Sequence, residues 1–248
     1  MCLIVFAWKL IPSTPLVVAG NRDEFYERPA APAGWWQDVP NIYAGRDLQA
    51  GGTWMGISTR NGPDSVTTRF AAITNIRAPS EKRPDAPSRG ALVSDFLQGS
   101  ASAAKYVEQI KDGAQAYNGF NLLLGDGDDL IWFSNRWQQD ERNGKPLLPG
   151  IYGISNAALD TPWPKVVSTK AEFASLLCQR APEGAYFEML ADSTKAPDCR
   201  LPDTGVSIDM ERLLSSAFIA SPTYGTRASS LLYIHDGKPA EFLEKTAR

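Results

Sequence analysis

A cysteine at position 2 opens the apolar run Cys2-Leu3-Ile4-Val5-Phe6-Ala7-Trp8, and a second run, Leu16-Val17-Val18-Ala19-Gly20, delivers Asn21-Arg22-Asp23-Glu24. A cysteine thiolate is a strong nucleophile, and a free amine on the same residue, with a reference pKa of about 7.7 to 8, can act as its base. That chemistry needs Met1 removed, with Asp23 orienting the ammonium. The structural alternative is that Cys2 is a small buried apolar residue. Side chains alternate along strands, so Cys2, Ile4, Phe6 and Trp8 share one face, while Asn21 and Asp23 oppose Arg22 and Glu24. A hairpin of the two runs brings Cys2 beside Asn21 or Asp23. Four ionisable or amide side chains at a buried strand end are costly unless used or paired.

Three later polar residues fit the same chemistry. Asn75 and Asn156 each end an apolar strand, where an amide can bind an oxyanion, and Arg227 can hold a carboxylate or developing negative charge. Asn at a strand end is also ordinary turn chemistry. Trp35, Trp36 and Trp54 can line a pocket or cap the core. His235 is the single histidine, in a turn with Asp236-Gly237, so Cys–His catalysis and a multi-histidine metal site lack support. The acidic stretch 126–129 fails as a calcium loop because Leu130 takes the fifth ligand position. Gly51-Gly52 lacks the lysine of a phosphate loop. No metal site is expected.

The elements that position these residues follow from period and punctuation. The first run is too continuous for a half-wet strand and too short for a membrane span, so it reads as a buried strand paired with the second. Residues 25 to 36 read as an ordered, aromatic loop. Strands are predicted near 41–45, 53–59 and 66–75, the last two joined by a tight turn at Asn61-Gly62. Residues 76–89 read as an exposed loop able to serve as a lid. Ser88 and Ser102 are expected to cap two helices ending near Gly99 and Gly113. A hairpin follows over 120–125 and 130–134, then a strand at 151–156. Thr161-Pro162 opens a helix through Leu177, with further helices at 183–192 and 209–216. Strands at 226–234 and 241–243 close the chain. This grouping predicts an α+β fold of two antiparallel sheets covered by helices, in one domain over 1–248.

Composition narrows the classes. Net charge is −3, with no basic stripe, so nucleic acid is not an expected partner. No apolar stretch reaches the roughly 18 residues of a spanning helix, and the start lacks the features of a secretory signal, so a soluble, cytoplasmic protein is expected. Cys2, Cys178 and Cys199 are an odd, scattered set that suits neither a disulfide framework nor structural zinc, and the last two read as spectators.

Several motifs in order carry a resemblance: Met1-Cys2, Asn21-Arg22-Asp23-Glu24-Phe25-Tyr26 with Arg28-Pro29, Gly51-Gly52-Thr53-Trp54 with Gly56-Ile57, and Asn118-Gly119-Phe120-Asn121-Leu122. Tyr152-Gly153 with Ser155-Asn156, Thr161-Pro162-Trp163 and Tyr224-Gly225-Thr226-Arg227 continue it. Together they resemble the transport and Golgi organisation protein 2 family, also called NRDE after its tetrad. The resemblance implies a four-layer αββα sandwich like that of N-terminal-nucleophile hydrolases. Its layout is also similar to penicillin V acylases and bile salt hydrolases, which implies a nucleophile at Cys2, an acid at Asp23, an oxyanion-binding amide at Asn156 and an arginine at Arg227. Those acylases carry a further arginine three positions before the aspartate, where this chain has Gly20. Arg22, on a regular strand, is expected to face away from the site.

Two functional expectations result. The family link to haem trafficking and lipid handling implies a binding protein for an amphipathic small molecule, haem or an acyl or lipid-like compound, with no required cofactor. Asn21, Arg22, Trp54, Asn75 and Arg227 would line its pocket. The alternative is an N-terminal-nucleophile cysteine amidohydrolase in which Cys2 cleaves linear acyl amides.

Overall fold

The computed structural model describes residues 2–61 and 66–247. The chain forms β1 (Cys2–Ile11), β2 (Thr14–Phe25), β3 (Ala30–Trp35), β4 (Ile42–Asp47), β5 (Met55–Asn61) and β6 (Val66–Asn75). Helices α1 (Gly90–Gln98) and α2 (Ala103–Ile110) precede the hairpin β7 (Phe120–Gly125) and β8 (Leu130–Ser134). β9 (Gly150–Ile154) leads into α3 (Pro164–Gln179), α4 (Glu183–Leu190) and α5 (Ile208–Leu213), and β10 (Tyr224–Ile234) and β11 (Glu241–Thr246) follow.

Two antiparallel sheets result, ordered β11-β10-β2-β1-β9 and β3-β4-β5-β6-β7-β8. Period-two alternation sorts their side chains into layers. Cys2, Ile4, Phe6 and Trp8 meet Met55, Ile57, Phe70 and Trp132 between the sheets. The other face of β1, Val5 and Ala7, packs with Phe173 of α3 and Tyr186 and Leu190 of α4. On the far side, Ala71, Ile73 and Leu122 pack with Phe96 and Leu97 of α1 and Val107 of α2. The order is helix, sheet, sheet, helix. Both runs of the opening hairpin are therefore apolar on both faces because both faces are covered. Among the described residues no helix is long and apolar enough to cross a membrane.

Several local expectations change. The segment expected as a loop contains β3, which pairs with β4; Pro32 is tolerated because it sits where the register shifts between Ala31 and Gly34. Ser88 does not cap α1. Its N-cap is Arg89, without a side-chain cap bond, and this end is held instead by Thr53 N–H donating to Gly90 O at 3.4 Å. Ser102 does cap α2, accepting from the Lys105 N–H. α3 begins at Pro164, later than Thr161-Pro162 predicts, because Pro164 rather than Pro162 takes the first helical position after Trp163. α4 and α5 are shorter than expected, and β11 is longer. Residues 76–89, expected as a lid, are pinned: Asn118 exchanges two hydrogen bonds with the Arg83 backbone, and Arg83 Nη2 donates to the carbonyls of Gln115, Ala116 and Tyr117. β5 and β6 pair as expected; Asn61 is the last residue of β5, and the rest of the turn predicted at Asn61-Gly62 lies outside the described residues.

Candidate functional site around Cys2

β1 begins at Cys2, and the hairpin register sets Cys2 opposite Arg22, Leu3 opposite Asn21 and Ile4 opposite Gly20. Directly opposed residues share a face. Arg22 therefore stands on the Cys2 side, facing the space between the sheets, and does not turn away as a count from Asp23 suggests. Gly20 is explained in the same register, since a Cβ there would lie 2.9 Å from the Leu3 carbonyl oxygen. A side chain at position 20 does not fit, and Arg22 carries the cation of that face.

Cys2 is buried, in the same apolar cluster as Trp54, Met55, Ile154 and Leu159. Burial raises its thiol pKa and the nearby Asp23 carboxylate adds to the rise, while the Asp23 backbone N–H, hydrogen-bonded to sulfur, and Arg22 oppose it. The protonated thiol is thus the neutral-pH form. Arg89, at the start of α1, donates to Gly119 O and is within electrostatic reach of Cys2 and Glu24.

The Cys2 backbone is tied to the end of β9. Ser155 Oγ lies 2.9 Å from Cys2 O and 3.0 Å from Asn156 Oδ1, Asn156 Nδ2 donates to Asn75 O at 2.7 Å, and Arg77 N–H donates to Asn156 O. The Asn156 side-chain amide is thereby joined to the Asn75 backbone beside Cys2. The alternation along β2 turns Asp23 toward the helical layer, where its Oδ1 accepts from Thr226 Oγ1 at 2.7 Å. Burial raises the Asp23 pKa, opposed chiefly by Lys165.

Two expected residues are committed elsewhere. Asn21 Nδ2 donates to Leu190 O and Ala217 O, both at 2.8 Å, and its Oδ1 accepts from Ser229. It ties β2 to α4 and to the segment before β10. Arg227 is the extra residue where the β10–β2 register shifts between Thr226 and Ala228, and such a bulge re-aims a side chain. Its Nη1 donates to the carbonyls of Phe25, Tyr26 and Arg28 at 2.9, 3.3 and 3.0 Å. Trp36 belongs to the core around α1, and Trp35 is exposed against Tyr43. His235 pairs with Thr14 at the opposite end of the sheet from Cys2. No group of three or more His, Cys, Asp or Glu able to hold a metal occurs among the described residues.

Sequence reasoning missed Lys165. It is the second residue of α3, whose neighbours Trp163 and Val166 pack on Leu3, so the lysine is carried to the start of β1. It is 2% exposed and its Nζ has no hydrogen-bond partner among the described residues. Burial pushes its pKa down to about 8, opposed first by Asp23, with Arg77 adding to the fall and Cys2 and Glu211 opposing it. The only available signal was a lysine directly after the Pro at a helix start, which also describes countless exposed lysines.

The arrangement places a buried thiol and an arginine on one face of the sheet, and a carboxylate and a buried lysine on the other. The family profile described as Transport and Golgi organisation 2 matches residues 1–248. The Transport and Golgi organization 2 homolog of Mus musculus is 32% identical, with 99% of this chain and 93% of that protein covered. The Bos taurus homolog is 33% identical with the same coverage, and the Drosophila melanogaster protein is 25% identical over 99% of this chain and 92% of its own. On the profile match and on relatives above 30% identity along nearly the whole chain, this protein belongs to the Transport and Golgi organisation 2 family.

Proposed function

We propose that this protein binds and carries an anionic, amphipathic small molecule, most concretely haem, at the end of the sandwich where β1 begins. The observation that carries the reading is Arg22 standing on the same face as Cys2, over the apolar cluster that holds Trp54. An apolar floor beside guanidinium groups suits a flat or chain-like hydrophobe bearing carboxylates. The family's name, which speaks of transport, agrees with a carrier. Arg89 adds a second cation, Asn156 lies beside the Cys2 backbone and is tied to Asn75, and Asn21 and Arg227 fix the surrounding backbone. No resident cofactor is required, and the setting is the cytoplasm.

The test is a haem titration under reducing conditions, followed by absorbance. Wild type is expected to saturate near one equivalent, with Arg22→Ala and Cys2→Ala weakening binding about tenfold or more and Arg227→Ala acting less. Uptake that never saturates and ignores Arg22 and Cys2 overturns the reading.

A second reading, hydrolysis of linear acyl amides through Cys2, is favoured by the Ser155, Asn156 and Asn75 network that fixes the cysteine and supplies an amide beside it. Release of amine from an acyl amide by wild type but not by Cys2→Ala is its expected sign.

A further inference from the structure

Cys2 is 7% and Trp54 9% exposed, so whatever reaches the thiol needs a way into the layer between the sheets. The margins of that layer are closed by different means. On the side of β9, Leu147 N–H donates to Leu130 O of β8, Asn121 Nδ2 of β7 donates to Ala157 O, and Leu147 and Leu159 belong to the apolar layer itself. On the other side the edge strands β11 and β3 meet, and neither contains a buried residue. Glu244 of β11 stands opposite Ser230, Ser230 opposite Gly20 and Gly20 opposite Ile4, so the Glu244 side chain points between the sheets. Its Oε1 accepts the Ala33 N–H of β3 at 2.7 Å, and its Oε2 lies 3.8 Å from where a Cβ on Gly45 of β4 would stand. The Ala33 N–H is available to it because the β3–β4 register shifts between Ala31 and Gly34. Next along β11, Phe242 meets Tyr43 of β4 at 5.5 Å between ring centroids. Two cross-strand rows lead inward from this margin, Glu244, Ser230, Gly20 and Ile4, and Thr246, Ala228, Arg22 and Cys2. The second row ends on the thiol and its arginine, and the residues nearest the margin in both rows, Ser230 and Ala228, are small.

We infer that the β3–β11 margin is the entrance to the layer between the sheets and that Glu244 is its latch. A carboxylate taken out of water is costly to bury, and an edge strand without buried residues is held by little else. Parting β3 from β11 gives up the Ala33 hydrogen bond and the Tyr43–Phe242 contact and returns the Glu244 charge to water, so this margin opens more cheaply than one closed by apolar side chains. A flat or chain-like amphipathic molecule then enters edge first, passes over Ala228 and Ser230, and brings its anionic group to Arg22. As the route of a carried ligand the inference rests on the carrier reading; as the route to Cys2 it stands apart from it. The competing way in is the end of the sandwich, where Arg22 and Glu24 pair at 4.0 Å.

The experiment measures alkylation of native Cys2 by iodoacetamide and by a bulky maleimide, in the full chain carrying Cys178→Ser and Cys199→Ser, since both of those cysteines are exposed. Glu244→Ala is expected to speed the iodoacetamide reaction about tenfold and the maleimide reaction more, because an entrance discriminates by size whereas a change in thiol ionisation does not. Glu244→Gln, which keeps a neutral acceptor for Ala33, speeds both less. Glu24→Gln leaves the ratio of the two rates as in wild type. Equal gains for the two reagents in Glu244→Ala, or a size-dependent gain in Glu24→Gln in its place, overturn the inference. Should Glu244→Ala not fold, wild type decides: Cys2 must react with a urea dependence well below that of global unfolding, and the amides of β3 and β11 must exchange hydrogen before those of β1 and β2. Alkylation that waits for global unfolding overturns the inference. Haem uptake is read separately, with association and release both faster in Glu244→Ala and Kd little changed. Absence of saturable uptake removes the carrier reading alone, and the alkylation rates still decide the entrance.

Discussion

Arg77 and Lys165 are buried cations that line the same small cavity, yet their surroundings differ. Arg77 Nη1 meets Glu211 Oε2 at 2.5 Å, its guanidinium lies 4.5 Å from the Trp163 ring centroid, and Glu211 Oε1 also accepts from the Thr204 backbone at 3.0 Å. Lys165 Nζ has carboxylate charge nearby and no hydrogen bond among the described residues. A charge removed from water is tolerated when a fixed partner and hydrogen bonds replace the solvent. Arg77 with Glu211 thus locks α5 to the end of β6, whereas Lys165 keeps a titration within reach of neutral pH. Burial of charge is common to both, and a fixed ion pair is what Arg77 has and Lys165 lacks among the described residues.

Glu211→Ala is the largest break of this contrast. It removes the carboxylate that pairs with the buried Arg77, and chemical denaturation is expected to show a loss of about 3 to 5 kcal/mol. A small loss would mean that the pair is not what holds α5.

The pH dependence of stability sharpens the other side. The folded-state pKa of Lys165, about 8, lies below the ordinary 10.5, so between these values the unfolded chain holds a proton that the folded chain has released. Stability therefore rises with pH across that window, by up to about 3 kcal/mol. Wild type should show this climb relative to Lys165→Met. Parallel curves would place Lys165 among ordinary surface-like amines and dissolve the comparison.

Asn21→Ala gives the smallest effect, about 2 kcal/mol of stability, from the acceptors at Leu190 and Ala217 left without a donor. Chemical denaturation checks it, and an unchanged midpoint would mean that the ties from β2 to α4 and to the segment before β10 carry no stability.

Much of the frame was legible before any coordinates. Doubly apolar runs at 2–8 and 16–20 read as a covered hairpin, and turn chemistry marked most strand ends. β3 was hidden because Pro32 imitates a loop, and edge pairing next to a register shift tolerates it. Cys2, Asp23, Asn75 and Asn156 were singled out by residue type at strand ends. Arg22 was turned the wrong way because its face was counted relative to Asp23 and not relative to its cross-strand partner.

The sequence by itself determined the two-sheet, helix-covered class and the gathering of polar groups where β1 begins, because alternation and strand termini are local properties of the chain. Tertiary structure decided which of those groups meet. The hairpin register faced Arg22 with Cys2, a one-residue bulge sent Arg227 to three carbonyls of the 25–28 segment, and the docking of α3 on Leu3 buried Lys165 near the start of β1. Register, bulges and helix docking are fixed by contacts between residues far apart in the chain, which no local pattern encodes.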